Sequence, residues 1–454
     1  MSTAMQNPSE PNPTGWLAPW ALLPDGWHRD VLIECDVQGR LTRVEPGSAP
    51  GAATRLDGVV VPGLPNVHSH AFQFALAGKA ERAGPHHGDP ERADSFWSWR
   101  EAMYGFLAEL DPDGIEAIAT RLYRAMLARG YTAVGEFHYV HHAPDGRPYA
   151  DPAETSRRLL RAAETAGIGI TLLPVYYEDG GFGGAAPGER QRRFLHDPDG
   201  FARLLQALAP EFRDRPDRRL GIAPHSLRAA RPERLRAAVS ALDGIDPTAP
   251  VHIHVAEQPK EVADCLAWCG RRPVELLFDI QPVDARWCLV HATHLSEDER
   301  RAIARSGAVA GLCPATEANL GDGLFPAEAF LADGGAIGIG SDSHVSVDPA
   351  EELRWLENGQ RLFTGRRTVL ADGPGASVGV GLLQRVCRGG ATALGRPIGA
   401  LLAGRRADFV VLAADDGEGD RPADPSELVD RWIFAPAGIR VAETVVGGRS
   451  RFPR

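Results

Sequence analysis

Short apolar runs alternate along most of the chain with segments in which apolar residues return at helical spacing. The eight apolar runs cover residues 59–67, 131–137, 168–176, 219–224, 250–256, 286–292, 307–313 and 335–342. Segments with helical periodicity follow them, for example at 112–129, 152–166, 232–242, 261–269, 296–306 and 349–362. Eight strands that alternate with helices predict an α/β fold, a parallel (β/α)₈ TIM barrel.

Shorter β patterns stand at both ends of the chain, outside this alternation. Residues 30–44 are typical of a β-hairpin, and further apolar strands cover 407–412 and 441–446. Strands from opposite ends of a chain can pair in one sheet, so we predict a small β-sandwich-like domain built from both termini. The predicted division is a flexible arm at 1–14, the small domain at 15–61 and 391–454, and the barrel at 62–390.

Polar side chains that could carry chemistry fall at the carboxyl ends of the predicted barrel strands. In strand order they are His68 and His70; Glu136 and His138; Tyr176 and Tyr177; His225; His252, His254 and Glu257; His291; Glu317 and Asn319; and Asp342. Barrel enzymes keep their active sites at this face. The pattern therefore predicts one catalytic site at the carboxyl ends of the strands.

The spacing of His68 and His70 indicates a metal site. Side chains alternate along an extended segment, so the two imidazoles project to the same side. A catalytic zinc site needs three or four nitrogen or oxygen ligands and one open position. The sequence offers that number of ligands in His68, His70, Asp342 and one histidine of the fifth run. His252 and His254 share strand parity, so the residues alone leave both as candidates.

Proton carriers are also needed, because a bound divalent ion lowers the pKa of its water towards about 7 and the reaction must then move protons. His291, Glu257 and Asp342 are the candidates, since each stands near a strand end.

The composition of the chain limits the kinds of partner that the protein can bind. The chain has a net charge of -11, which argues against a nucleic-acid surface. No apolar run approaches the length of a membrane span, and the N-terminus lacks the features of a secretory signal. The six cysteines form no CxxC pair. We therefore expect a cytoplasmic protein with reduced thiols and no membrane contact.

Four motifs resemble the deaminase branch of the amidohydrolase superfamily: VPGLPNVHSH, HIHVAE, LVHATH and GIGSDSH. The resemblance runs from about residue 30 to the end of the chain. It implies a TIM barrel that binds one zinc ion per subunit, with iron or another divalent ion as an alternative, and a homodimer. The implied ligands are His68, His70, His254 and Asp342, because the family's HxxE spacing selects the histidine three residues before Glu257.

The resemblance also favours a single metal ion. Relatives with two ions bridge them with a lysine at the end of the fourth strand, and this sequence has His225 there. Its two lysines, Lys79 and Lys260, follow the first and fifth runs instead.

A closer resemblance is to the formimidoylglutamate deiminase family. The motifs on which this resemblance rests are HSHAFQ, SFWSWRE, EFHYVHH, APHSLR, HVAEQ and CPATEANLGDGLFP. The implied reaction, a step of histidine degradation, hydrolyses N-formimino-L-glutamate to N-formyl-L-glutamate and ammonia. The implied substrate-binding residues are Gln73, Arg100, Tyr139, His225 and Arg228. In this reaction His291 with Asp342 would orient and deprotonate the water, and Glu257 would protonate the imino nitrogen.

The implied substrate, a small anionic molecule derived from an amino acid, suits two arginines. Their planar guanidinium groups can bind carboxylates through paired hydrogen bonds. We expect Arg100 and Arg228 in loops at the strand-end face. Arg100 belongs to the long gap at 71–113, whose length in a compact domain predicts a functional loop.

Two other functions compete with this interpretation. A related deaminase or hydrolase could act on a nucleobase, a guanidino compound or a chlorinated ring with the same fold and metal ligands. A catalytically silent, zinc-stabilised binding protein is the other alternative. It predicts the loss of at least one of Glu257, His291 and Asp342, and all three are present.

Overall fold

The computed structural model of the chain describes residues 15–84, 94–415 and 424–452. The arm expected at 1–14 lies outside the described residues. In chain order, the strands are β1 (Gly15–Leu23), β2 (Gly26–Cys35), β3 (Leu41–Glu45), β4 (Thr54–Arg55), β5 (Val59–Pro62), β6 (Leu64–Ser69), β7 (Tyr131–His138), β8 (Gly169–Tyr176), β9 (Arg218–Leu220), β10 (Ala223–Pro224), β11 (Val251–Val255), β12 (Trp287–His291), β13 (Val309–Leu312), β14 (Ala336–Ile339), β15 (Phe409–Ala414), β16 (Ile439–Val446) and β17 (Arg449–Phe452).

The α-helices are α1 (Phe96–Leu107), α2 (Pro112–Ala128), α3 (Glu154–Ala166), α4 (Pro198–Leu208), α5 (Pro232–Asp243), α6 (Pro259–Cys269), α7 (Pro273–Ile280), α8 (Glu297–Ser306), α9 (Pro314–Leu320), α10 (Ala327–Ala332), α11 (Pro349–Thr364), α12 (Val378–Ala393) and α13 (Pro425–Phe434). Short 3₁₀ helices cover Ala71–Leu76, Glu189–Gln191 and Ala209–Phe212. Within the described ranges, none of the helices combines the length and apolarity that crossing a bilayer requires.

The predicted barrel is confirmed. Parallel strands follow one another in the order β10, β8, β7, β6, β14, β13, β12, β11, and β9 pairs with β8. Parallel bridges from Ile222 to Val251 and from Ser226 to His254 close the ring. The barrel strands are buried almost throughout. Because both faces of each strand are covered, their sequences are continuous apolar runs and do not alternate between apolar and polar residues.

Both termini build the second sheet, as expected. Its strand order is β17, β16, β15, β5, β1, β2, β3, and β4 pairs with β1. The sheet is mixed, since β5 runs parallel to β1 and antiparallel to β15. Trp16, Ile33, Phe409 and Val445 belong to its own apolar core. The second sheet is therefore a structural unit with contributions from residues 15–62 and 409–452.

The first apolar run is two strands, one in each sheet. β5 ends at Pro62 and β6 begins at Leu64. Gly63 joins them, and a Cβ atom there would lie 2.4 Å from the side chain of Thr132. This close approach requires glycine, and it leaves the strand of His68 directly attached to the terminal sheet.

The long gap at 71–113 contains a helix, so the expectation that Arg100 lies in a loop is wrong. Ser95 caps α1: its hydroxyl accepts from the Trp97 amide, and the Ser98 hydroxyl accepts from the Ser95 amide. This cap explains why a tryptophan-rich stretch becomes helical, and it fixes Arg100 on the first turns of α1.

The helix α12 packs directly on the barrel through glycines. A Cβ atom at Gly389 would lie 1.9 Å from the carbonyl oxygen of Ile337 in β14, and one at Gly390 would lie 2.7 Å from the Pro65 ring. The helix also runs across the predicted boundary at residue 390. The absence of side chains on this face allows the close contact between α12 and the strands.

We expect Gly389→Ala to destabilise the protein by about 1–3 kcal/mol, because the added methyl group must displace the β14 backbone. The matched control is Gly105→Ala in α1, where a Cβ atom meets nothing within 4 Å. That change should be neutral or stabilise the protein. Urea denaturation of both variants measures the difference, and equal stability of the two would contradict this account of the α12 packing.

Candidate metal centre and active site

Four side chains from strands distant in sequence converge at the carboxyl end of the barrel. The Nε2 atom of His68 lies 3.1 Å from Nε2 of His70 and 3.1 Å from Nε2 of His254. Oδ1 of Asp342 lies 3.4 Å from Nε2 of His68 and 3.3 Å from Nε2 of His70. Ligands at about 2.0–2.1 Å from a tetrahedral zinc ion are about 3.3 Å apart. The four atoms thus have the spacing of a metal-ligand set.

Hydrogen bonds behind the rings direct these nitrogens into the site. His70 donates from Nδ1 to the Phe137 carbonyl at 2.9 Å, and His254 donates from Nδ1 to the His225 carbonyl at 3.1 Å. In a neutral imidazole the other nitrogen then carries a lone pair. Burial lowers the pKa of both rings, so they are neutral. The unprotonated Nε2 atoms of His70 and His254 both face Nε2 of His68 at 3.1 Å, and this convergence of imidazole nitrogens fits a metal ion.

Asp342 links the first and last barrel strands. Its amide donates to the His68 carbonyl at 3.0 Å, and its own carbonyl accepts from the His70 amide at 3.2 Å. Burial raises the pKa of its carboxyl, but the hydrogen bond from His68 and the electrostatic interactions with His68, His70 and His291 hold the pKa below its usual value. Asp342 is therefore an ionised carboxylate and a candidate oxygen ligand.

His252 lies apart from the candidate ligands. Its Nε2 donates to the Ala393 carbonyl at 2.7 Å, which joins β11 to the end of α12. The two histidines of the fifth apolar run thus have different partners. His254 faces the other candidate ligands, and His252 forms a hydrogen bond with a backbone carbonyl. The strand parity that they share could not distinguish them.

His291 stands between three carboxylates. Its Nδ1 lies 3.3 Å from Oε1 of Glu317, and its Nε2 lies 3.7 Å from Oε1 of Glu257 and 3.9 Å from Oδ2 of Asp342. Burial lowers the pKa of His291, but the charges of Glu257, Glu317 and Asp342 outweigh it and raise the pKa to about 10. Burial also raises the pKa of Glu257. His291 and Glu257 are therefore two ionisable groups with raised pKa values beside the candidate metal ligands.

Several residues in and beside this site have a strained backbone. Outside glycine, positive φ angles are uncommon. Of the eight such residues in the described part of the chain, five follow or end barrel strands at the carboxyl side: Ala256 (53°), His291 (65°), Ala292 (49°), Asp342 (45°) and His344 (63°). Such strain persists where the surrounding structure enforces it, and it concentrates at functional sites.

The two predicted arginines share one aromatic surface. The guanidinium carbon of Arg100 lies 5.6 Å from the Trp97 ring centre, and that of Arg228 lies 5.9 Å from the same ring. Arg100 also donates from Nε to the Tyr104 hydroxyl at 2.6 Å. The two cations, one on α1 and one after β10, therefore lie on the same side of the site.

The predicted substrate-binding and catalytic residues line one cavity. It includes His70, Gln73, Arg100, Tyr139, His225, Arg228, His254, Glu257, His291 and Asp342. Gln73 donates from Nε2 to the Tyr139 hydroxyl at 2.9 Å. Oε1 of Gln73 and Nε of Arg228 are buried, and neither has a hydrogen-bond partner in the described part of the chain. These two atoms remain available to a ligand.

Some residues of the site were not identified from the sequence. Tyr104 and Trp97 hold the arginines, and the only sequence signal for them was their place within one helical turn of Arg100. Glu317 was noted as a strand-end residue without a role. Its contact with His291 joins positions 26 residues apart, which no local pattern reveals.

Comparisons with known sequences find two family models and several relatives that match this chain. The model of the amidohydrolase family matches residues 59–450, and a model described as the N-terminal domain of the formimidoylglutamate deiminase HutF matches residues 17–58. A formimidoylglutamate deiminase of Pseudomonas aeruginosa is 52% identical over 94% of this chain and 92% of its own length. A 5-methylthioadenosine/S-adenosylhomocysteine deaminase of Natronomonas pharaonis is 28% identical over 92% of this chain and 87% of its own length.

Solved structures share the fold. An amidohydrolase from Brucella melitensis superposes with a TM-score of 0.90 at 50% identity, covering 97% of this chain and 94% of that chain. An adenosine deaminase from Xanthomonas campestris, solved with bound zinc, superposes with a TM-score of 0.77 at 22% identity, covering 98% and 94%. The second likeness supports the fold alone.

A further histidine cluster lies behind the site. The ring centre of His141 lies 5.1 Å from that of His138 and 4.7 Å from that of His196, and all three rings are buried. Burial is the largest cause that lowers the pKa of His138 and of His196 to about 3. Protonation of these two histidines therefore favours the unfolded chain, in which the pKa of histidine is about 6.5.

Above pH 6.5 these two histidines should not lower the free energy of unfolding. As the pH drops from 6.5 towards 3, their protonation in the unfolded chain should lower it. His196→Phe removes one of these groups, so its stability should fall less steeply, by up to about 1.4 kcal/mol per pH unit. Urea denaturation of the metal-saturated proteins between pH 8 and 4.5 measures both slopes. Parallel curves below pH 6.5 would contradict the prediction, and above pH 7.5 the curves should be parallel.

Proposed function

The chain belongs to the amidohydrolase family, and from this membership we propose that it is a metal-dependent deiminase that hydrolyses N-formimino-L-glutamate to N-formyl-L-glutamate and ammonia in histidine degradation. The observation that carries the substrate is the pair of guanidinium groups, Arg100 and Arg228, in the cavity that three of the four candidate metal ligands also line. The formimidoylglutamate deiminase of Pseudomonas aeruginosa, 52% identical, supports the same substrate.

We propose that His68, His70, His254 and Asp342 hold one zinc ion per subunit, with iron or another divalent ion as the alternative. All four side chains are buried, and their facing atoms lie 3.1–3.4 Å apart in the pairs given above. When bound, a divalent ion lowers the pKa of a coordinated water towards about 7.

Substrate binding in this proposal uses both ends of the molecule. N-formimino-glutamate has two carboxylates, which suit Arg100 and Arg228. Gln73 adds an unpartnered amide oxygen for an N–H group of the substrate. Burial, followed by the charges of Arg228 and Arg100, lowers the pKa of His225, so its ring is neutral and adds no third cation. A neutral nucleobase would leave both guanidinium groups without anionic partners.

The proton transfers balance over two side chains, Asp342 and Glu257. Asp342, whose pKa is below its usual value, accepts a proton from the attacking water. Glu257, whose raised pKa favours the protonated form, donates to the imino nitrogen, and His291 orients the water as a hydrogen-bond donor. On collapse the proton on Asp342 goes to the leaving ammonia. Glu257 recovers its proton from the hydroxyl group that becomes the formyl oxygen.

The test of the proposal is an ammonia-release assay on protein stripped with a chelator and reloaded with zinc, iron(II) or manganese. We expect turnover of N-formimino-L-glutamate only in the metal-loaded protein, with about one ion per chain by elemental analysis. Guanine, cytosine and S-adenosylhomocysteine serve as competing substrates. Ammonia from one of these but none from N-formimino-L-glutamate would overturn the substrate assignment.

Removal of either guanidinium group should weaken substrate binding. A hydrogen bond to a charged group contributes about 1.5–3 kcal/mol, so Arg228→Gln and Arg100→Gln should each raise KM on the order of 10- to 100-fold. The control is Arg236→Gln, an exposed arginine that donates to the Ile280 carbonyl. Steady-state kinetics measure the effect, and an unchanged KM in both cavity variants would contradict dicarboxylate binding.

A further inference from the structure

We propose that Glu317 is a positioning residue that fixes the ring of His291 by accepting a hydrogen bond from its Nδ1–H group. This inference goes beyond the proposed function and rests on it, because the orientation of His291 matters only if His291 takes part in the hydrolysis. Glu317 follows the seventh barrel strand, on α9.

The geometry separates the two nitrogens of His291. Nδ1 faces Glu317 at 3.3 Å, while Nε2 faces Glu257 at 3.7 Å and Asp342 at 3.9 Å. The bond at Nδ1 leaves Nε2 as the nitrogen that serves the reaction. A carboxylate behind a histidine has this effect in other sites, where it holds the tautomer and the ring plane.

His291 needs such support because its own backbone gives little. Its φ angle of 65° lies outside the strand region, so the pleat of β12 does not set the side-chain direction. The terminal torsion of a histidine is broad and roughly two-fold, which permits a flipped ring. A flip would remove the Nδ1 donor from Glu317 and turn a carbon–hydrogen edge towards the carboxylate. The hydrogen bond to Glu317 therefore selects one of two ring orientations.

Glu317 is itself held in place. It is buried, and its Oε1 also accepts from the Cys313 amide at 2.8 Å. Glu352 supports the start of α9 separately, by accepting from the Ala315 amide at 2.8 Å. A second carboxylate thus anchors the same helix without contacting His291, and it provides a matched control.

The kinetic experiment compares Glu317→Leu with Glu317→Gln. Leu removes the acceptor, so we expect kcat to fall on the order of 10- to 100-fold, with KM within about twofold and metal content unchanged. Gln keeps an oxygen acceptor and should retain at least tenfold more activity than Leu. The inference is overturned if the folded Leu variant has wild-type kcat, or if Gln loses as much as Leu.

The control is Glu352→Gln. Burial raises the pKa of Glu352 well above its usual value, so its carboxyl is protonated and an amide is its close analogue. This variant should keep wild-type kcat and KM. A loss as large as that of Glu317→Leu would show that kcat responds equally to a change at a carboxyl group that does not contact His291, and would overturn the inference.

A spectroscopic measurement tests the contact without turnover. In metal-loaded protein labelled with ¹⁵N-histidine, the hydrogen-bonded Nδ1–H of His291 should give a low-field, exchange-protected proton signal. The signal should be absent in Glu317→Leu and present in Glu352→Gln; its persistence in Glu317→Leu would refute the bond. A wild-type protein that releases no ammonia from N-formimino-L-glutamate would refute the proposed function, while this signal would still report on Glu317.

Discussion

The site depends on electrostatic repulsion that the fold itself creates. Backbone carbonyls take the Nδ1 protons of His70 and His254, and burial keeps both rings neutral. Their remaining lone pairs face Nε2 of His68, and that of His70 also faces the ionised Asp342, at little more than 3 Å. A metal cation bound by these atoms makes the arrangement favourable. The parallel strands hold the four groups in place, because they bring distant parts of the sequence to one end of the barrel.

Around this centre, charge is divided between two sides. Glu257, Glu317 and Asp342 surround His291 on one side, while Arg100 and Arg228 share the Trp97 ring on the other. A ligand with carboxylates at one end and a basic nitrogen at the other complements both sides. The same division explains why the protein needs only local positive charge despite a net charge of -11.

Much of this could be predicted from the sequence, and what could not has physical causes. Buried parallel strands appear in the sequence as apolar runs, and their ends carry the polar residues, so the barrel and the convergence of the candidate ligands at one end of it were predictable. Strand parity could not separate His252 from His254, because the difference lies in a contact with Ala393, far along the chain. Helix α1 depends on a serine cap at Ser95, which the aromatic composition obscured. The partner of His291 is a tertiary contact with no local pattern.

The junction at Gly63 connects the last strands of the chain to the candidate metal centre. β15 pairs with β5, and a single residue separates β5 from the strand of His68 and His70. A disturbance of the C-terminal strands is transmitted through β5 to His68 and His70, two of the four candidate ligands. Shortening the protein from its C-terminus would therefore lower its affinity for the ion before it reached any residue of the barrel.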